Sequence, residues 1–427
     1  MASNATSIFD EQHLIDHSTE QASSLSLSSQ AVHADDFLNS GQDVAPPLHV
    51  STTYRYNNDP SKLKTWAEKD ADNSHEGEGH IYSRHTAPNT TRFEAILSSI
   101  LKGPALTYSS GLSALHAALV FLNPKRIAIR DGYHGCHGVI EVHQKLTGLK
   151  KLDLYCDASE LESGDVVHVE TPLNPTGQAY NLKEFAEKAH SRGAFLVVDA
   201  TFGPPPLQDP FLWGADIVIH SGTKYVGGHS DMLCGILAVN PERVKEGWFE
   251  GLTKERLFLG NVMGNMEGWL GIRSVRTLEV RVERQAFNAG MLVKWLDSAL
   301  HPGKEGAFAV GEEASGLVRR VVGRLDHASL QEQDIKDGWL LKQMPNGFGP
   351  VFSITMTEQI FARRLPSKLA LFHHATSLGG VESLIEWRSM TDSKIDTRLL
   401  RVSIGIEGWE DLRNDLLRGF KELVQDP

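Results

Sequence analysis

The chain has 427 residues, 41% of them hydrophobic and 22% charged, the composition of an ordinary globular protein with room for two or three domains and a sizeable core. Its 42 basic residues against 54 acidic ones leave a formal charge of -12, which argues against a nucleic-acid or anionic-membrane surface and leaves the substrate open. Three cysteines, Cys136, Cys156 and Cys234, imply no disulfide framework and fit a reducing compartment.

In chain order, Met1 to about Ser29 is rich in Ser, Gln and acidic residues, without an apolar core or an arginine. It reads as a mobile arm rather than a secretory or mitochondrial signal. The last residues, Val424-Gln425-Asp426-Pro427, are not a peroxisomal address. No apolar run is long enough to span a bilayer, and cytoplasm is the expected location. The polar stretch Ser61 to His80 is expected to be an exposed loop near a site entrance.

From Pro104 to Cys234 helix-period and strand-like segments alternate. Strands are expected at Arg126 to Arg130, Asp165 to Glu170, Ala194 to Asp199 and Ala215 to Ile219, with helices at Leu112 to Leu122 and Leu182 to Arg192. That alternation implies a mostly parallel sheet covered on both faces, in which ligands sit at the carboxyl ends of the strands. Tyr133, Glu170, Asn174, Asp199 and Lys224 all fall at or just after such ends. Helix formers dominate Leu257 to Leu300 and carry the chain into a smaller α/β domain with strands at Gly349 to Met356 and Leu400 to Ile404. The expected organisation is an N-terminal arm and intersubunit segment over 1–75, a large domain over 76–273 and a small domain over 274–427.

The segment His220-Ser221-Gly222-Thr223-Lys224-Tyr225 follows a buried strand. A lysine there, preceded by two hydroxyls, suits a Schiff base beside a phosphate, the pairing that pyridoxal 5′-phosphate needs. A solvated loop lysine is the plain alternative. Ser109-Ser110-Gly111-Leu112-Ser113-Ala114 opens an amphipathic helix whose free amides favour a phosphate dianion, or is an ordinary serine-capped helix. Asp199 ends a strongly apolar strand and suits a pyridinium nitrogen, or caps the next turn. Tyr133 suits the face of a ring, or is a half-buried aromatic. His134, Cys136, His137 and His143 cluster in sequence, yet a closed zinc site needs four converging ligands and no second cysteine pair is present, so no metal is expected. Gly222 to Gly228 lacks the spacing of a nucleotide phosphate loop.

Taken together the chain resembles the pyridoxal-phosphate family of cysteine and methionine metabolism, the trans-sulfuration enzymes. The resemblance runs from about Ala31 to Phe420. It rests on Ala45-Pro46-Pro47-Leu48, Tyr82-Ser83-Arg84, Pro88-Asn89-Thr90, Ser109-Ser110-Gly111, Glu170-Thr171-Pro172-Leu173-Asn174-Pro175 and Asp199. It continues through His220 to Asp231, Ser377-Leu378-Gly379-Gly380-Val381-Glu382-Ser383-Leu384 and Arg401-Val402-Ser403-Ile404-Gly405. It implies an α/β, fold-type-I transferase architecture like that of aspartate aminotransferase, with a mostly parallel sheet in the large domain and a smaller C-terminal α/β domain.

The same resemblance implies that Lys224 is the Schiff-base lysine and proton shuttle, that Asp199 pairs with the pyridinium nitrogen and that Tyr133 stacks on the ring. Asn174 would contact the ring hydroxyl, Gly111, Leu112, Ser221 and Thr223 would hold the phosphate, and Thr201 would belong to the cofactor site. Arg401 would grip the substrate α-carboxylate, aided by Ser377 and Asn174, with Tyr133 also facing substrate; a planar guanidinium suits that bidentate task. Tyr82 and Arg84 would reach the cofactor of a neighbouring subunit, which implies a homo-oligomer, a dimer of dimers with shared sites.

The chain departs from the family pattern at Thr376, where members that handle cystathionine at its γ-carbon carry a glutamate. It departs also at Ala200 and Gly222, and at Trp387-Arg388, where His-Pro is usual. Arg388 is either a binder of an acidic second substrate or a surface arginine. The expected reaction is γ-substitution on an O-acyl-homoserine-type amino acid through a vinylglycine-type intermediate, with a thiol or a carbon acid such as a β-keto acid as nucleophile. The alternative is a cystathionine β- or γ-lyase releasing a 2-oxo acid and ammonia. A catalytically retired, cofactor-binding oligomer is disfavoured, because the lysine, aspartate, tyrosine and arginine positions are all filled.

Overall fold

The computed structural model describes residues 25–39, 41–65 and 79–425. Met1 to Ser24 of the expected arm and residues 66–78 of the expected loop lie outside them; Ser61 to Thr65 are exposed. The end of the expected arm is helical instead. Helix α1 (Leu27–His33) starts where the Ser26 hydroxyl accepts the Ser29 amide, a side-chain cap that the composition of the stretch obscured.

The large sheet has seven strands: β1 (Ala105–Tyr108), β2 (Arg126–Ala128), β3 (Lys150–Leu152), β4 (Val166–Glu170), β5 (Phe195–Asp199), β6 (Ile217–Ser221) and β7 (Gly235–Val239), in the order β1-β7-β6-β5-β4-β2-β3. The strands from β3 to β6 run parallel, while β7 is antiparallel to both β6 and β1. β4 and β7 are buried along their whole length, as expected of a sheet covered on both faces. The expected strand from Arg126 to Arg130 stops at Ala128. The one expected over Ala215 to Ile219 begins at Ile217 and runs on to Ser221. Asp216 is excluded because its carboxylate bonds the Leu196 amide, Arg243 and His190, which fixes it as the anchor of the strand entrance. That two-residue shift places Ser221 at the strand end and Lys224 in the turn, where its amide donates to the Ser221 carbonyl at 3.0 Å.

Helices α2 (Pro88–Leu101), α3 (Gly111–Leu122), α4 (His134–Thr147) and α5 (Leu182–His190) accompany this sheet. The helix-rich stretch Leu257 to Leu300 is divided into α6 (Trp248–Leu259, begun earlier), α7 (Asn265–Val275) and α8 (Leu278–Leu300). Gly260 ends α6 in a left-handed conformation, φ +69°. Helix α8 belongs to two cores. Leu278, Val282 and Ala286 pack into the core of the large sheet, and Ala289, Leu292, Val293, Leu296 and Ala299 into a second core.

The second core lies on a five-stranded sheet ordered β10-β11-β12-β9-β8, formed by β8 (Val322–Asp326), β9 (Val351–Met356), β10 (His373–His374), β11 (Leu384–Trp387) and β12 (Leu399–Ser403). All its pairings are antiparallel except β10 with β11. Helices α9 (Glu312–Val321) and α10 (Trp409–Gln425) pack with α8 beside this sheet. No described helix is long and apolar enough to cross a membrane.

Candidate active site

The carboxyl ends of β4, β5 and β6 open into a cavity of about 480 Å³, closed from the other side by residues 376–401. Gly111, Leu112, Tyr133, Asn174, Asp199, Thr201, Ser221, Thr223 and Lys224 line it from the large sheet, and Ser377 and Arg401 from the small one. Every sequence-predicted site residue except Tyr82 and Arg84 therefore meets in one place. Those two are exposed on the outside of the chain, where the Arg84 guanidinium lies 5.5 Å from the Tyr82 ring centroid and donates to the Leu257 carbonyl at 3.1 Å.

The turn after β6 is held close to its surroundings. Thr223 Oγ1 accepts the Cys234 amide at 3.0 Å, and Thr201 Oγ1 accepts the Ser221 amide at 2.8 Å. Gly111 and Leu112 are the first residues of α3, so their amides have no carbonyl one turn back to bond. Ser110 caps the helix by accepting the Ser113 amide at 3.1 Å. Gly235 of β7 passes directly beneath; a Cβ there would stand 2.0 Å from the Ser110 carbonyl oxygen. Glycine at that position lets a strand and a helix start share one floor.

Lys224 Nζ donates to Ser377 Oγ at 2.7 Å. Ser377 holds φ +79°, a left-handed conformation that is uncommon for a residue other than glycine. Gly379 follows at φ +85°, and a Cβ on it would come within 2.8 Å of the Lys224 carbonyl carbon, so this loop is pressed against the lysine backbone. Burial, reinforced by Arg401 and opposed by Glu386, lowers the Lys224 pKa to about 8. A lysine amine neutral at mildly alkaline pH is a usable nucleophile and base. Uptake of pyridoxal 5′-phosphate by the apoenzyme, followed by visible absorbance, is therefore expected to accelerate as pH rises to about 8 and then level off. A rise that continued towards the ordinary lysine value of 10.5 would contradict this.

Two carboxyls sit side by side on the cavity floor, since Glu170 and Asp199 are register partners on parallel strands. Glu170 is buried; burial first and the neighbouring Asp199 second push its pKa up to about 8. Its two oxygens accept the amides of Tyr133 and Asn174 at 2.8 and 2.7 Å, so it ties together two residues that flank the cavity. Gly132, φ +123°, leaves room for it, because a Cβ there would lie 2.5 Å from Glu170 Oε2. The sequence singled out Glu170 by its strand-end position but not this bracing, which depends on how two loops return to one carboxylate. Asp199 is likewise raised by burial, with Thr201 hydrogen bonds working the other way. It has no ion pair among the described residues, so it suits a cationic ring nitrogen as partner.

Opposite, Arg401 donates to Asn174 Oδ1 at 3.2 Å and to the Ser377 carbonyl at 2.8 Å, and pairs with Glu386 at 2.6 Å. Glu386 faces Arg401 across the β11–β12 register. Arg388 pairs with the same Glu386 oxygen at 3.0 Å, and the Thr391 hydroxyl donates to the other at 2.8 Å. Burial alone would raise the Glu386 carboxyl; Arg401 and Arg388 hold it below its ordinary range. Arg388 is only 4% exposed and lines the cavity, so the surface-arginine alternative is overturned: the short turn after β11 folds the side chain inward onto Glu386. Cys136 also lines the cavity, with its thiol pKa raised well above the usual range by burial, which makes it inert rather than nucleophilic. Among the described residues no group of three or more His, Cys, Asp or Glu is placed to hold a metal.

A parallel sheet with a lysine in the turn after one strand, an aspartate at the end of the next and a helix start facing both is the arrangement of a pyridoxal-phosphate enzyme. The profile of the family described as Cys/Met metabolism PLP-dependent enzyme matches residues 28–421. A cystathionine gamma-synthase from Escherichia coli (strain K12) is 31% identical over 406 residues, 88% of this chain and 93% of the relative. A cystathionine beta-lyase from Lactococcus lactis subsp. cremoris is 29% identical over 409 residues, 89% of this chain and 94% of the relative. The crystal structure of apo CalE6, a methionine gamma lyase from Micromonospora echinospora, superposes with a TM-score of 0.77 at 29% identity, covering 93% of this chain and all of that one (100%). The chain belongs to the Cys/Met metabolism PLP-dependent enzyme family, and its cofactor is pyridoxal 5′-phosphate.

Proposed function

We propose that this enzyme catalyses γ-substitution on an O-acyl-homoserine-type amino acid, with a thiol or a carbon acid such as a β-keto acid as nucleophile. The observation that supports this over cleavage of cystathionine is the charge of the cavity. Among the described residues its only acidic lining groups, Glu170 and Asp199, sit on the floor, Thr376 lines it where the family resemblance implies a glutamate for a distal ammonium, and Arg388 adds a second guanidinium. Such a lining favours an anionic or neutral second group.

Bound there, the cofactor supplies an aldehyde for an amine and a ring that accepts electron density from the substrate α-carbon. The protein does the rest. Arg401, steadied by Asn174 and Ser377, receives the α-carboxylate and turns the α-hydrogen towards Lys224. Lys224 Nζ, released to act as a base, would remove that proton and deliver it to the former aldehyde carbon, which restores the free amine; it would then take a proton from the β-carbon, so that the γ-acyloxy group departs as a carboxylate. It returns a proton after the nucleophile has bonded to the γ-carbon. Asp199 would keep a proton on the ring nitrogen, Tyr133 would cover the ring face, and Gly111, Leu112, Ser221 and Thr223 would hold the phosphate; Thr201 bonds Asp199 and the Ser221 amide. Glu170, through the Tyr133 and Asn174 amides, keeps both walls in place.

The test is mass spectrometry of the products formed by purified, cofactor-loaded enzyme from O-acetyl-L-homoserine with competing cysteine and acetoacetate. A γ-adduct is expected, and its mass names sulfur or carbon as nucleophile. No adduct, with brisk conversion of cystathionine to pyruvate or 2-oxobutyrate, would make the enzyme a lyase. The exposed pair Tyr82 and Arg84 is assigned to a neighbouring subunit's phosphate. Arg84→Ala is accordingly expected to weaken cofactor retention about tenfold, the worth of one charge-assisted hydrogen bond, as read by dialysis against graded cofactor. Unchanged retention would remove the argument for shared sites in a dimer or dimer of dimers.

A further inference from the structure

We infer that Arg388 is a specificity residue for a second carboxylate, one borne by the nucleophile or by the acyl leaving group rather than by the α-carbon of the amino acid. This rests on the substitution reading above.

Arg388 and Arg401 both point at one oxygen of Glu386, at 3.0 and 2.6 Å, so two guanidinium groups share a single carboxylate that Thr391 also donates to. Glu386, Arg388 and Arg401 are each at 4% exposure or less, so a donor left without an acceptor among them is costly. Glu386, Asn174 and the Ser377 carbonyl set the orientation of Arg401 for the α-carboxylate, whereas the Arg388 Nε–H finds no acceptor among the described residues. A guanidinium with Nη1 anchored and Nε free keeps one edge for a further carboxylate oxygen.

Position supports the same assignment. Arg388 lines the cavity together with Thr376 and Thr391, and both arginines lower the burial-raised pKa of the Tyr133 phenol. It therefore faces the same space as the groups assigned to the amino-acid substrate, while being a different residue from the one that takes the α-carboxylate. A purely structural Arg388, present only to neutralise Glu386, is redundant, since Arg401 already pairs with that carboxylate at shorter distance across the β-register.

The test separates this inference from the reaction itself by reading equilibrium binding. Calorimetry on the cofactor-loaded enzyme compares L-2-aminoadipate with L-norleucine, unbranched amino acids of the same chain length with and without a distal carboxylate. Wild type is expected to favour aminoadipate by about 10- to 100-fold, the worth of one charge-assisted contact. Arg388→Met is expected to reduce that ratio to near unity and Arg388→Lys to restore part of it. A general loss of structure weakens both ligands alike and leaves the ratio intact, so a ratio unchanged in Arg388→Met, or near unity in wild type, overturns the inference. These ratios stand whether or not a γ-adduct forms. Two kinetic pairs then locate the carboxylate: kcat/KM for acetoacetate against ethyl acetoacetate places it on the nucleophile, and O-succinyl- against O-acetyl-L-homoserine places it on the leaving group. Arg388→Met is expected to erase the preference within one pair; preference in neither pair overturns the inference.

Discussion

Lys224→Ala is expected to reduce turnover by about four orders of magnitude, the upper range for removal of a positioned base, and to abolish covalent capture of the cofactor. The readout is peptide mass after borohydride reduction, which in wild type marks Lys224 and in the variant marks nothing. Loss of structure is not the expected cause. Burial lowers the folded-state pKa of Lys224 to about 8 from 10.5, so below pH 8 the folded protein carries an ammonium that it disfavours relative to the unfolded chain. The sign therefore predicts that the variant apoenzyme is at least as heat-stable as wild type at neutral pH, with the advantage fading as pH rises towards 10.5. Among the described residues the side-chain hydrogen bond lost is the one to Ser377 Oγ at 2.7 Å. Full activity in Lys224→Ala, or a reduced adduct on another lysine, would end the assignment.

The second large effect is expected from Asp199→Asn. An amide keeps the shape and still accepts the Thr201 amide now bonded at 3.0 Å, but it carries no charge to keep a proton on the ring nitrogen. Losing one partner of a pair at a cavity floor costs about 3–5 kcal/mol, so kcat is expected to fall about 10²- to 10⁴-fold while the cofactor remains covalently attached. The change also relieves Glu170, whose raised pKa owes part of its shift to Asp199. Asp199→Asn should thus bring Glu170 closer to an ordinary carboxyl, a change visible in a carbon-labelled NMR titration. Activity within about threefold of wild type would show that the ring nitrogen does not need this carboxylate.

What could be read in advance followed from local rules. Short apolar runs ending in Glu170 and Asp199, a serine-capped helix start at Gly111 and a lysine just beyond a buried strand are signals written in consecutive residues, because a parallel strand and a capped helix each have their own period and terminators. The strand start differs from the expected Ala215 by two residues because Asp216 looks like part of the run until its three partners, Leu196, His190 and Arg243, are known. β1, β3 and β7 lie outside the strands that the sequence pattern leads one to expect. The antiparallel return of β7 between β1 and β6 is a matter of pairing, which a four- or five-residue run does not encode alone.

The strand–helix alternation around β2, β4, β5 and β6, the family, the cofactor and the residues assigned to hold it are legible in the chain alone, since each rests on a motif short enough for its own residues to specify. The tertiary structure alone decided three things. It placed Ser377 Oγ against Lys224 Nζ across 153 positions of chain. It made Glu170 a brace for two loops. It turned Arg388 inward to share Glu386 with Arg401. The reason is physical: a side chain's charge state and free hydrogen-bonding edge depend on which distant groups the two sheets bring within about 3 Å, and no local period records that distance.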